Sequence, residues 1–275
     1  MSRVTLKRAP WLALSLLVSG CFGMPTPLAP GLEGSVGLPY AGTLTDAEEL
    51  PVHGEGFERY RPWGLRNYGT PELVQAIMRE ARQVAAEEPG GPPLLVGDLS
   101  ARSGGRISGH HSHRSGRDVD LLYFSTTPSG VPVAAPGFVH YGPDGLAASP
   151  EGGYVRLDVA RQWALFRAWL TDPSVEVLWM FVSRDVESLI IDHARALNEP
   201  AELIWRAEQV LHQPRDSANH DDHVHIRIAC TAQQRVRGCE TGGPAWPWMA
   251  DAPTLGNDEL LTLPTAPVDQ RSGLL

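Results

Sequence analysis

The sequence predicts an α+β domain in which helices flank a central, mainly antiparallel sheet, and three observations support this. Segments of helical period and short strand-like runs are both present but do not alternate regularly, which disfavours a doubly wound parallel sheet. Two of the strand-like runs, 117–124 and 223–228, place polar residues on one face and apolar residues on the other, the pattern of a sheet covered on one side. At 275 residues the chain can bury one sizeable core, and no internal repeat divides it.

The elements follow from local signals. Residues 1–20 carry Arg3, Lys7 and Arg8 ahead of an apolar run from Trp11 to Val18, too short to span a bilayer and patterned like a secretory signal. Residues 21–50, rich in Pro, Gly and Ala, are expected to be a lipidated N-terminus and flexible linker, followed by a domain over 51–249 and a disordered tail over 250–275. Thr70 and Pro71 are a cap and first position for a helix that continues through Leu73, Ile77, Ala81 and Val84. A buried strand is expected over 93–99, a glycine-flanked loop after it, then the strand over 117–124. An insertion over 125–153 is expected to hold a short strand at 138–141. Helices over 157–170, 186–197 and 201–211 and strands over 175–182 and 223–228 complete the core.

Charge and cysteine usage limit the partners. The chain carries a formal charge of −9, and loss of the first twenty residues leaves roughly −12, which argues against nucleic acid and against an anionic membrane surface. The run Val18-Ser19-Gly20-Cys21 resembles a bacterial lipobox, so Cys21 is the expected lipidation site, with a plainly cleaved signal as the alternative. The membrane is then a partner through an N-terminal lipid only, and the expected location is the periplasm. In an oxidising compartment Cys230 and Cys239 read as a disulfide rather than as metal ligands.

The chemistry concentrates in two places. The stretch from Gly104 to Asp120 holds His110, His111, His113, Asp118 and Asp120 among four glycines, and the run from His220 to His225 adds His220, His223 and His225. Imidazole nitrogen and carboxylate oxygen are the ligand types of Zn²⁺ sites that keep one position open. On a strand, His223 and His225 project from one face, and Asp120 could meet them across the sheet, so the metal cleft is expected on one sheet face.

These residues resemble a known family. His113, Asp120 and the later His223-Val224-His225 are similar to the pattern of the zinc peptidases related to lysostaphin, the D-Ala-D-Ala carboxypeptidases and the hedgehog domain. The closer resemblance is to the penicillin-insensitive murein endopeptidases. It rests on Gly97-Asp98, Gly104-Gly105-Arg106, Gly109-His110, Ser112-His113, Gly116, Asp118-Val119-Asp120, and His220, His223 and His225 followed by Arg227 and Cys230. It implies zinc on His113, Asp120 and His225, with His110 either a further ligand or a neighbour of the ligands. It also implies His223 as an uncoordinated catalytic group, with His220 a second histidine at the site.

The resemblance further implies hydrolysis of cross-links between peptidoglycan stem peptides, D-alanyl to meso-diaminopimelate, by a zinc-dependent D,D-endopeptidase. A carboxypeptidase and a non-catalytic zinc-containing module that binds cell-wall peptides are the alternatives. Arg106 and Arg227, with Arg102 and Arg117, are the cations expected around the cleft, and His53, His111, His140, His193 and His212 are expected to be exposed. Asp118 is a candidate to orient a metal-bound histidine, because such histidines usually donate their other N–H to an acceptor.

Overall fold

The computed structural model describes residues 32–249. The chain opens on a hairpin, β1 (Ser35–Leu38) and β2 (Ala41–Leu44). β3 (Glu48–Glu49), β4 (His53–Gly54), β5 (Phe57–Arg59) and β6 (Tyr68–Gly69) lead into α1 (Pro71–Glu87). β7 (Leu94–Val96) and β8 (Asp118–Leu122) flank the glycine-rich loop. β9 (Ser125–Thr126), β10 (Pro132–Val133), β11 (Leu146–Ala148) and β12 (Tyr154–Leu157) make a separate small sheet. α2 (Val159–Thr171), β13 (Val177–Phe181), α3 (Arg184–Ala196), α4 (Ala201–Val210), β14 (Leu211–His212), β15 (His223–Ile228) and α5 (Ala232–Val236) follow.

The helices begin where side chains can accept the unpaired N–H groups of the first turn. Thr70 caps α1 by accepting from Leu73, Asp158 caps α2 by accepting from Arg161, and Ser183 caps α3 by accepting from Val186. After α3, Asn198 at φ 56 turns the chain in the left-handed region, a conformation in which Asn is among the better tolerated residues. None of the helices among the described residues is long and apolar enough to cross a membrane.

The central sheet has seven strands in the order β14-β13-β15-β8-β7-β5-β4. β13/β14 and β5/β7 are parallel and the other pairs antiparallel, as a mainly antiparallel sheet requires. Register decides what each face carries. His225 stands opposite Asp120 on one side and opposite Phe181 on the other, while Arg227 stands opposite Asp118 and Trp179. The alternate residues Val119, Leu121, Met180, Val224 and Ile226 are buried with Leu73, Ile77, Trp163, Phe166, Trp169 and Ile190 from α1, α2 and α3. The helices therefore cover one face, and the polar set lies on the other.

Two expectations are corrected here. The flexible linker over 21–50 is already ordered from residue 32, because β1 and β2 pair and dock on the rest of the domain. Its Gly-Pro composition hid this, since the hairpin is held by contacts from distant parts of the chain. A side chain at Gly42 would lie 2.5 Å from Val36 O and 2.9 Å from Ser115 Cβ, so glycine is required by close approach. The short strand expected at 138–141 is not formed; there Val139 and Tyr141 are buried, and Tyr141 N–H donates to Asp221 O at 2.9 Å. The signal segment, Cys21 and the tail over 250–275 lie outside the described residues.

Arg117, expected at the cleft, is fully buried on the far face. Its guanidinium donates to Ser35 Oγ at 2.9 Å, Ile228 O at 3.2 Å and Glu240 O at 2.7 Å, and so joins the first hairpin to the end of β15. Burial pushes its pKa down to about 10, which leaves it charged at neutral pH. The Cys230–Cys239 disulfide closes the chain just beyond β15.

Behind the sheet Glu80 is buried in α1, near Asp172 at the end of α2, and Arg79 pairs with that aspartate. Burial first, then the hydrogen bond to Asp172, push Glu80 up to about 8 from an ordinary 4.5. The folded state therefore holds an extra proton between those values: the stabilisation is fully present below pH 4.5 and is lost as pH rises through about 8. Glu80→Gln is expected to flatten the decline in Tm between about pH 5 and pH 8. A variant whose Tm declines as steeply as that of the unmodified protein would show that Glu80 is not the group responsible.

Candidate metal centre

The loop between β7 and β8 carries His113 in an uncommon conformation. His113 has φ 60, which costs a residue with a Cβ on the order of 1 kcal/mol or more. Three contacts fix it there. Its N–H donates to Asp118 Oδ2 at 3.1 Å, its carbonyl accepts from Ser100 Oγ at 2.7 Å, and the same Ser100 Oγ accepts from Gly116 N–H at 3.0 Å. The ring is then oriented by the Leu99 carbonyl, 3.1 Å from Nδ1. A carbonyl can only accept, so Nδ1 carries the proton and Nε2 presents a lone pair.

His225 is set in the complementary sense. Its Nε2 lies 2.9 Å from Asp118 Oδ1, and burial, which alone would raise that carboxyl, is outweighed by Arg227 and His225, so Asp118 stays ionised. Nε2 is the donor and Nδ1 the lone pair. The two lone pairs face each other at 3.3 Å, and Asp120 Oδ1 lies 3.2 Å from His113 Nε2 and 3.3 Å from His225 Nδ1. Three electron-rich atoms converge with no proton between them, and Asp120 Oδ1 is buried without a hydrogen-bond partner. Metal bonds of about 2.0–2.1 Å in a tetrahedral site require ligand separations of about 3.3–3.4 Å, so the donor set fits Zn²⁺ in type and spacing.

Four further groups surround this triangle. His110 Nε2 donates to Asp98 Oδ2 at 2.9 Å, which leaves its Nδ1 3.7 Å from Asp120 Oδ2; His110, His113 and Asp120 also offer ligand atoms within 4.8 Å of one another. His223 Nε2 lies 3.5 Å from Asp120 Oδ1, and its Nδ1 lies 2.6 Å from Asp222 Oδ1. Burial works against the charged form of His223, but Asp120 and Asp222 outweigh it and the pKa rises. His220 differs: burial first, then the imidazoles of His225 and His223, push it down to about 4, and its Nδ1 has no partner. Phe138 closes the edge of the site, its ring 5.4 Å from that of His223.

The structure thus brings together His110, His113, Asp120, His220, His223 and His225, residues separated by up to a hundred positions and more in the chain. Arg227 is buried on the site face, where its Nε donates to Asp118 Oδ1 at 2.6 Å and its guanidinium lies over Phe181. Arg106 stays exposed on the loop. His193 and His212, expected to be exposed, are half-buried, the latter against Trp179 and Phe181. Sequence reasoning missed the Asp222 pairing, the Leu99 carbonyl, Phe138, Arg66, which bonds Asp98, and Arg61 beside it. The Asp222–His223 adjacency was a visible signal; the others depend on contacts between distant segments.

Fold and site together define a helix-backed α+β protein with a histidine–aspartate cluster that could hold a metal ion on its open sheet face. A profile of the family described as "Penicillin-insensitive murein endopeptidase" matches residues 35–134, the part that holds His110, His113 and Asp120. A protein of Haemophilus influenzae named "Penicillin-insensitive murein endopeptidase" is 26% identical over 222 residues, 80% of this chain and 71% of that protein. Escherichia coli proteins of the same name are 36% identical over 116 residues, 40% of this chain and 42% of theirs. The chain is therefore similar to proteins named penicillin-insensitive murein endopeptidase.

The geometry leads to an expectation that does not depend on activity. Zinc added to chelator-treated protein is expected to raise Tm, equivalent to about 2.7 kcal/mol at a hundredfold excess over Kd, and Asp120→Ala is expected to abolish most of the shift. Equal zinc-dependent shifts in the two proteins would remove Asp120 from the ligand set.

Proposed function

We propose that this chain is a zinc-dependent D,D-endopeptidase that hydrolyses peptide cross-links of peptidoglycan, with D-alanyl to meso-diaminopimelate as the bond cut. One observation carries the reading: Asp120 Oδ1 and the lone pairs of His113 and His225 converge with no proton between them, and His223 stands beside them on the same face. Kinship with endopeptidases named for murein supplies the substrate class. Export to the periplasm agrees with the Cys230–Cys239 disulfide, which belongs to an oxidising compartment, and Cys21 is assigned as the lipid attachment point.

In this reading His113, Asp120 and His225 hold the zinc, with His110 adjoining them. Bound zinc supplies Lewis acidity, lowering the pKa of a water and polarising the scissile carbonyl. The protein's own side chains do the rest. Asp118 accepts the Nε2–H of His225 and keeps its other nitrogen turned to the centre. His223 moves the proton: Asp222 fixes its Nδ1–H, so Nε2 faces the reacting groups and can deliver a proton to the departing amine. His220, whose pKa is about 4, stays neutral at working pH and serves as a hydrogen-bonding wall.

Digestion of purified cross-linked peptidoglycan tests the reaction: release of monomers from dimers is expected, whereas free alanine alone would indicate a carboxypeptidase and no product a binding module. His223→Ala is expected to keep its zinc and lose about a hundredfold or more in kcat. If zinc is lost with the ring, His223 is a ligand; if full turnover remains, another group moves the proton.

A further inference from the structure

We infer that Arg61, on the turn after β5, is a specificity-determining residue that binds a free carboxylate of the peptide substrate beside the metal centre. The inference rests on the endopeptidase reading for the nature of the substrate, but its geometry is independent of that reading.

Arg61 is placed as a working cation and left without work inside the fold. Its nearest carboxylate oxygen, Asp98 Oδ1, is 3.6 Å away, an ion-pair distance too long for a hydrogen bond. Asp98 is already engaged: its Oδ2 accepts from Arg66 Nη1 at 2.9 Å and from His110 Nε2 at 2.9 Å. Among the described residues no other carboxylate lies within ion-pair distance of Arg61 or Arg66, so two guanidinium charges face one carboxylate and one positive charge is left over. The Arg61 side chain is 57% exposed, and no hydrogen bond from its guanidinium is made within the described residues, which leaves the planar fork of donors free.

The side chain is nonetheless held in position. Its guanidinium lies 5.6 Å from the centroids of both the Tyr60 and Phe138 rings, and those rings meet edge to face at 5.4 Å. Such stacking restrains a guanidinium without using its N–H groups, and a restrained fork binds a carboxylate in two parallel hydrogen bonds at lower entropic cost. Phe138 packs against the His223 ring, and Asp98 contacts His110, so Arg61 is linked to the centre by two separate routes. An extended peptide advances about 3.5 Å per residue, so Arg61, one ring beyond His223, is set to meet a residue along the substrate rather than the bond being cut. Arg227, also on the site face, is buried and uses its Nε on Asp118.

The test uses a cross-linked peptide dimer with free carboxylates and the same dimer with those groups converted to primary amides. The intact protein is expected to cleave the free form about tenfold more efficiently, mainly through KM, and Arg61→Gln to remove that preference while cleaving the amide form as before. Arg61→Lys, which keeps charge but not the fork, is expected to restore part of it. Equal losses on both dimers, or no preference in the intact protein, would overturn the assignment. If neither dimer is cleaved, the endopeptidase reading fails and Arg61 is judged by calorimetry instead. A rise of about tenfold in Kd for the free dimer in Arg61→Gln supports the inference, and an unchanged Kd overturns it.

Discussion

Asp118 has no exposure to solvent, and the whole site depends on how its charge is satisfied. One oxygen accepts the backbone N–H of His113, and the other accepts from His225 Nε2 and from Arg227 Nε. A buried carboxylate is tolerated only when paired and hydrogen-bonded. Here the donors come from the loop and from β15, so satisfying the charge also joins the loop to the strand and aligns His113 with His225. Arg227 takes part as the compensating cation.

The sheet turns this local arrangement into a directed one. Pairing of β8 with β15 places Asp120 opposite His225, and the period of two along each strand sends every intervening residue into the helix-covered core. A slip of one residue in that register would exchange His225 for Ile226 opposite Asp120, at the expense of both the core and the centre. The glycine-rich loop contributes what a strand cannot, a histidine at positive φ brought in over the sheet.

The pattern of neighbours also separates the two histidines that remain outside the triangle. His223 lies between two carboxylates, Asp120 and Asp222, which favour its protonated form; His220 lies among imidazoles with no acceptor on Nδ1, which favours the neutral one. Two residues of the same type, three positions apart, are thereby suited to different tasks. At the rim, the carboxylate of Asp98 is shared by Arg66 and His110 and leaves Arg61 to face outward, a positive charge on this side of the cleft although the chain as a whole is acidic.

Much of this protein was legible in order along the chain. Thr70-Pro71 marked α1, the alternation in 223–228 marked β15 and its polar face, and the grouping of His113, Asp120, His223 and His225 marked the centre, because caps, strand period and ligand chemistry are properties of neighbouring residues. The first hairpin was read as linker, since β1 and β2 owe their order to Arg117 and to close packing around Gly42 rather than to a hydrophobic pattern of their own. Arg117, Arg227 and Arg61 look alike in sequence. Burial and partners alone make the first a clamp, the second a counter-charge and the third a free cation, because the role of a charged side chain is decided by the groups that share its space, and those come from segments up to a hundred residues and more away.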